Sequence, residues 1–100
     1  MKAYCLFDVQ EVLDESAMEH YRQHVLEVVA AFEGRYVVIG GPFEIKEGTH
    51  AIAFPVMIEF PSLAHANRWY DSPEYHELRE LRKRATRGTA VFFEGWSGGH

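Results

Sequence analysis

Asp8, Arg35, Glu59 and Glu94 each stand in or beside an apolar run. Carboxylates crowded together have raised pKa values and serve as general bases. A guanidinium beside them orients an acidic group. Asp8 and Glu59 are therefore the candidate bases, and Arg35 and Glu94 are ligand-binding candidates. The plainer alternative puts all four on the rim of an interface, paired or hydrated, because charges among apolar residues are otherwise costly. His20 and His24 are one helical turn apart, a spacing able to hold a metal. No HExxH signature and no third ligand accompany them, so they read as helix surface and no metal is expected. His65 and His76 read as exposed. His50, in the longest loop, is a further ligand candidate as the roof of a cavity. Gly40-Gly41-Pro42 reads as a turn or bulge, not a phosphate loop. Cys5 has no activating His or Arg beside it in sequence and reads as a small core residue.

The elements that must position these groups follow from periodicity and caps. Ala3 to Val9 reads as a strand. Ser16-Ala17-Met18-Glu19 is a capping box. Met18, Tyr21, Val25, Val28 and Phe32 then form one helical stripe, which Gly34 closes. Arg35 to Ile39 is a second strand, which Phe43 to Ile45 extends after a bend. Phe54 to Phe60 is a third, with Pro55 near its start or on an edge. Ser62 caps a short helix carrying Leu63, Ala66, Trp69 and Tyr70. Ser72 with Pro73 at the first helical position opens another, whose buried face is Leu78, Leu81 and Ala85. Gly88 ends that helix, and Thr89 to Glu94 is the fourth strand. The order β-α-β-β-α-β predicts an α+β, ferredoxin-like domain: a four-stranded antiparallel sheet with its helices on one face.

Composition bounds the function. One hundred residues predict a single domain over residues 1–96, with 97–100 a flexible tail. Hydrophobic residues at 47% and charged residues at 25% are ordinary for a globular chain. No apolar run is long enough for a membrane span, and the N-terminus has no signal-peptide pattern. The single cysteine excludes an internal disulfide and fits a cytoplasmic location. A net charge of −5 argues against nucleic acid as a partner. Arg79, Arg82, Lys83, Arg84 and Arg87 form the one basic cluster. It follows Glu74, Glu77 and Glu80 along a helix and reads as a solvated face that complements the macrodipole.

Strand alternation adds a prediction about assembly. Phe54, Val56, Ile58 and Phe60 are wholly apolar and are assigned to the helices, as are Cys5, Phe7, Val9, Tyr36 and Val38. The helix-free face then gathers Tyr4, Leu6, Val37, Ile39, Met57 and Phe92, beside Asp8, Arg35, Glu59 and Glu94. A patch of that kind marks an interface. Burying six such side chains at ~1.5–3 kcal/mol each, as an upper bound, amounts to roughly 10 kcal/mol per subunit. A sheet-to-sheet homodimer is the expected solution.

Gly34-Arg35-Tyr36, Gly40-Gly41, Ile58-Glu59-Phe60-Pro61-Ser62 and Trp69-Tyr70-Asp71-Ser72-Pro73-Glu74-Tyr75, with Arg82 and Glu94-Gly95, resemble a bacterial group, domain-of-unknown-function family 1330. The likeness spans residues 2 to about 95. It implies a dimeric α+β barrel, whose superfamily includes cofactor-free monooxygenases, lactone isomerases and haem proteins. Architecture is implied, not a reaction. Within the matching run Trp69 and Tyr75 are ligand-binding candidates. This chain has Ile39 where the family usually carries an arginine, and Pro55 where it tends to carry a base.

Two functions are expected to compete, with haem or metal binding ranked last because no well-placed axial histidine emerges. One is a small-molecule enzyme or binding protein without a bound cofactor, its cavity at the helix-free sheet face. The other is a non-catalytic dimeric module.

Overall fold

The computed structural model describes residues 1–49 and 51–96. His50 and the tail 97–100 lie outside the described residues. The elements run β1 (Ala3–Val12), α1 (Glu15–Ala31), β2 (Arg35–Ile39), β3 (Pro55–Phe60), α2 (Leu63–Tyr70), α3 (Pro73–Ala85) and β4 (Thr86–Glu94). The strands form one antiparallel sheet in the order β2-β3-β1-β4. This is the ferredoxin-like α+β arrangement expected above. The core lies between sheet and helices. Cys5, Phe7, Ile58 and Phe60 meet Val25, Val29, Trp69 and Tyr75 there, all of them buried.

Local chemistry sets the element ends, in places differently from the sequence reading. The cap of α1 is Asp14, whose carboxylate accepts the Ala17 amide at 3.1 Å. Ser16 donates to that carboxylate instead of capping. A charged acceptor at a helix N-terminus outcompetes a neutral hydroxyl two residues on. At the other end Glu33, not Gly34, takes the left-handed backbone, with φ 66°. Gly34 is needed for closeness: a Cβ there would sit 2.5 Å from the Phe60 ring. Ser62 and Ser72 cap α2 and α3 as expected, the latter with Pro73 following. Gly88 does not end α3. The helix passes directly into β4 at Thr86, and Gly88 lies inside the strand, where a Cβ would meet the Asp8 carbonyl. Phe43 to Ile45 are not in a strand.

Two corrections to side-chain direction decide where a site can be. In β2 the ladder pairs Tyr36 with Ile58, then Val38 with Met57 and Ile39 with Val56, so Val37 is the extra residue of a bulge. The bulge reverses alternation beyond it, turning Ile39 to the helix side and Val38 to the helix-free side. In β4, Phe92 pairs with Cys5 and Glu94 with Ala3, whereas Phe93 pairs with Tyr4 and Val91 with Leu6. Directly opposed residues share a face. Phe92 therefore belongs to the helix-side core, packed edge-on to Phe7 and Tyr70. Glu94 leaves the carboxylate group to which it was assigned. The helix-free face remains apolar with altered membership: Tyr4, Leu6, Val38, Met57, Val91 and Phe93.

Candidate functional site

On the helix-free face the expected catalytic groups are each occupied by other residues of the chain. Asp8 is buried, and its carboxylate accepts the amides of Ala53 at 3.1 Å and Phe54 at 2.9 Å, as well as the Gln10 side-chain amide. Those bonds tie the end of the long loop to β1. Glu59 is also largely buried and bridges Lys2 Nζ and Arg35 Nη2, each at 3.2 Å. Hydrogen bonds from Lys2, then from Arg35, hold its carboxyl below the usual carboxylate range. That is opposite to the rise expected for crowded carboxylates, because the neighbours are cations. Asp8 pairs in register with Pro55 and Glu59 with Tyr4, so the two acids stand four residues apart along β3.

Trp69 and Tyr75 are fully buried. Their rings stack with centroids 4.2 Å apart, and Phe60 lies against the other side of the indole. Trp69 is packing. Tyr75 differs, because its hydroxyl meets Tyr21 Oη at 2.6 Å and accepts from Arg82 Nε at 3.3 Å.

Those bonds lead to a cavity on the other side of the sheet. The backbone of α1 lies mainly beside α3, and the α2 and α3 backbones run nearer the strands, which α1 reaches through its side chains. The space left between α1 and the β2–β3 side is a cavity of about 230 Å³. Phe7, Met18, Val25, Val56 and Ile58 line its depth, and the exposed Leu26, Ile39 and Phe54 form its mouth. Tyr21, Tyr36, Arg22 and Arg82 are the residues of its lining that carry polar groups. The β2 bulge places Ile39 here. Phe54 is held by the Asp8 bonds to its amide and packs so closely over Gly40 that a Cβ there would meet its ring at 2.3 Å. Gly40 also has φ +56°, which a side chain would strain.

Arg82 is the unusual group. It is half-buried, stands over the Phe7 ring at 5.1 Å, and its Nη2 is fully buried with no hydrogen-bond acceptor among the described residues. Of its neighbours in the basic cluster, Arg79 reaches Asp71 and Glu80, Lys83 reaches Glu80, Arg87 reaches Glu11, and Arg84 is exposed. Among the described residues no carboxylate pairs with Arg82. Burial disfavours its cation, the Tyr75 and Tyr21 oxygens favour it, and the balance keeps it charged. Burial pushes the hydroxyls of Tyr21, Tyr36 and Tyr75 up, so they are neutral at ordinary pH. The sequence reading left Arg82 on the solvated face. The available signal was its spacing: Tyr75, Leu78, Arg82 and Ala85 recur at helical steps, which sets a guanidinium on the buried stripe.

The remaining candidates are quickly placed. His20 and His24 are exposed, with ring centroids 4.2 Å apart. Among the described residues no group of three or more His, Cys, Asp or Glu is arranged to hold a metal. His65 is half-buried rather than exposed, between Ser62 and Glu33. Burial pushes the Cys5 thiol up to about 12, which leaves it protonated and inert. No helix among the described residues is long and apolar enough to cross a membrane.

With that geometry in place, the chain belongs to DUF1330, a family described as a domain of unknown function, whose model matches residues 2–96. No curated protein matches it. Among solved structures it is similar to a protein of unknown function from Rhodopseudomonas palustris, at 17% identity and TM-score 0.74, covering 96% of this chain and 83% of that one. A dimeric ferredoxin-like protein of unknown function from Jannaschia sp. CCS1 shares 14% identity at TM-score 0.63, with 95% and 100% of the two chains covered. SnoaB, a cofactor-independent oxygenase from Streptomyces nogalater, shares 10% identity at TM-score 0.60, with 98% and 94% covered. At these identities the likeness is one of fold.

Proposed function

We propose that this member of DUF1330 is a homodimeric protein that holds a small organic molecule in the cavity between α1 and the sheet. The observation that carries this reading is the cavity itself: a largely apolar lining of about 230 Å³ on which a few polar groups converge. Ligand sites have that character. Its size matches a ligand of one or two rings, since an apolar cavity of about 150 Å³ already takes benzene. The site thus moves from the helix-free face to the helix side. Asp8 and Glu59 become groups that hold the loop and the sheet edge. The oxygenase among the structural neighbours supports the capacity of this fold for small-molecule chemistry without a cofactor.

Small aromatic compounds should raise the melting temperature of the wild-type chain. Val56→Trp, which fills the cavity, should abolish that rise. Glu59→Gln and Arg35→Ala should leave it intact. A ligand response lost in the last two variants but kept in Val56→Trp would return the site to the helix-free face.

The homodimer rests on the helix-free face, where Val38, Val91 and Phe93 are 38%, 44% and 48% exposed beside Tyr4, Leu6 and Met57. Exposed apolar side chains so grouped mark an interface, and a Jannaschia protein of the same fold is dimeric. Light scattering should give twice the chain mass, falling to one for Phe93→Glu. A wild-type chain of 11.5 kDa at micromolar concentration would remove the dimer.

A further inference from the structure

We infer that the ligand is an organic anion, its charged oxygen bound by the Arg82 guanidinium and the Tyr21 hydroxyl, two groups of the cavity lining. This rests on the cavity reading and adds the chemical class. A guanidinium has donors only and cannot shed its charge by deprotonation. Left half-buried without a counter-ion it is costly, and that cost is recovered when an anion enters. Among the described residues other charges at least as buried, Asp8, Glu59 and Arg79, have their partners.

The tyrosine pair shows which way its protons run. Arg82 Nε has only a hydrogen to give, so Tyr75 Oη accepts it. The Tyr75 side chain is fully buried and is not part of the cavity wall. Its own hydrogen therefore has one place to go, the Tyr21 oxygen at 2.6 Å. Were the bond reversed, the Tyr75 hydrogen would be left unpaired in an apolar core, at a cost comparable to a lost hydrogen bond. With Tyr75 donating, the Tyr21 hydrogen is free, and Tyr21 lines the cavity. The lining thus carries two donors, one charged. The apolar walls accept the ring or rings that carry the anionic oxygen. A carboxylate and a phenolate or enolate both satisfy this pattern.

Titration calorimetry on the full chain separates these claims. The probes are benzoate and 2-naphthoate, their methyl esters, and 4-nitrophenol, whose absorbance reports ionisation. A charge-assisted bond predicts acids ~10–100-fold tighter than their esters. Arg82→Met should erase that preference while leaving the esters bound as before. Tyr21→Phe should weaken acids several-fold and esters hardly at all. Should Arg82→Met fail to fold, Arg82→Lys keeps the charge but loses the fork, and the wild-type acid-to-ester ratio stands by itself. Binding of 4-nitrophenol as its anion, or preference for the carboxylates over it, both support the anion and distinguish its two sources. Esters as tight as acids would overturn the anion and leave the cavity reading standing. No binding by any probe, charged or neutral, would overturn both.

Discussion

Glu59 in β3 and Arg82 in α3 are charges on opposite sides of one sheet, and they are treated in opposite ways. Glu59 is flanked by two cations that reach over from the strand edge and terminus. Arg82 has a ring beneath it, phenols beside it, and no acid paired with it among the described residues. The first arrangement is complete within the chain. The second is complete only with something added. The presence of charge among apolar residues is thus a poor guide to a site, whereas an unmet charge beside an empty volume is a good one.

The comparison can be broken most forcefully at Asp8, the most fully satisfied acid on the helix-free face. Asp8→Ala would orphan the Ala53 and Phe54 amides and release the loop end, costing ~2–3 kcal/mol in denaturant unfolding. A negligible loss would mean that the carboxylate is not the clamp its hydrogen bonds describe.

Arg82→Met should sharpen the contrast by doing much less. Replacing an unpaired, half-buried cation with an apolar chain of similar reach should alter ligand-free stability by under ~1 kcal/mol, in either direction. A loss of several kcal/mol would show that Arg82 is already satisfied within the fold.

The smallest effect is expected at Glu59, and its pH dependence carries the information. Its carboxyl ionises lower in the folded chain than in the unfolded one. Its contribution is therefore present above the ordinary carboxylate pKa and is lost as pH falls through the folded value. Glu59→Gln should melt slightly below wild type at neutral pH, and the two curves should converge in acid. Salt should narrow the gap as well, because Lys2 and Arg35 are largely exposed. A gap that persists unchanged in acid would assign the loss to packing.

The fold was legible because its signals are local. The Ser62 and Ser72 caps, Pro73 after Ser72, and the 3.6-residue stripe of Met18, Tyr21 and Val25 each specify an element without help from the rest of the chain. Errors fell where one strand depends on another. Nothing in Arg35-Tyr36-Val37-Val38-Ile39 announces that Val37 is surplus, since a bulge is defined by what lies opposite. Phe92 and Phe93 are equally apolar, and only the pairing with β1 decides which is core. The proposed move of the site to the helix side has the same origin: acids near apolar runs are visible in a string of letters, whereas Lys2 beside Glu59 is a contact between residues far apart in sequence.

Periodicity, caps and turn residues were sufficient to determine a β-α-β-β-α-β chain with one sheet and an apolar underside, because each acts over a few neighbouring residues. The register of β2 and β4, the gap left where α1 leans on α3, and the solitude of Arg82 were decided by tertiary structure. They depend on distances between residues far apart in sequence, and electrostatic satisfaction is a property of such distances rather than of composition.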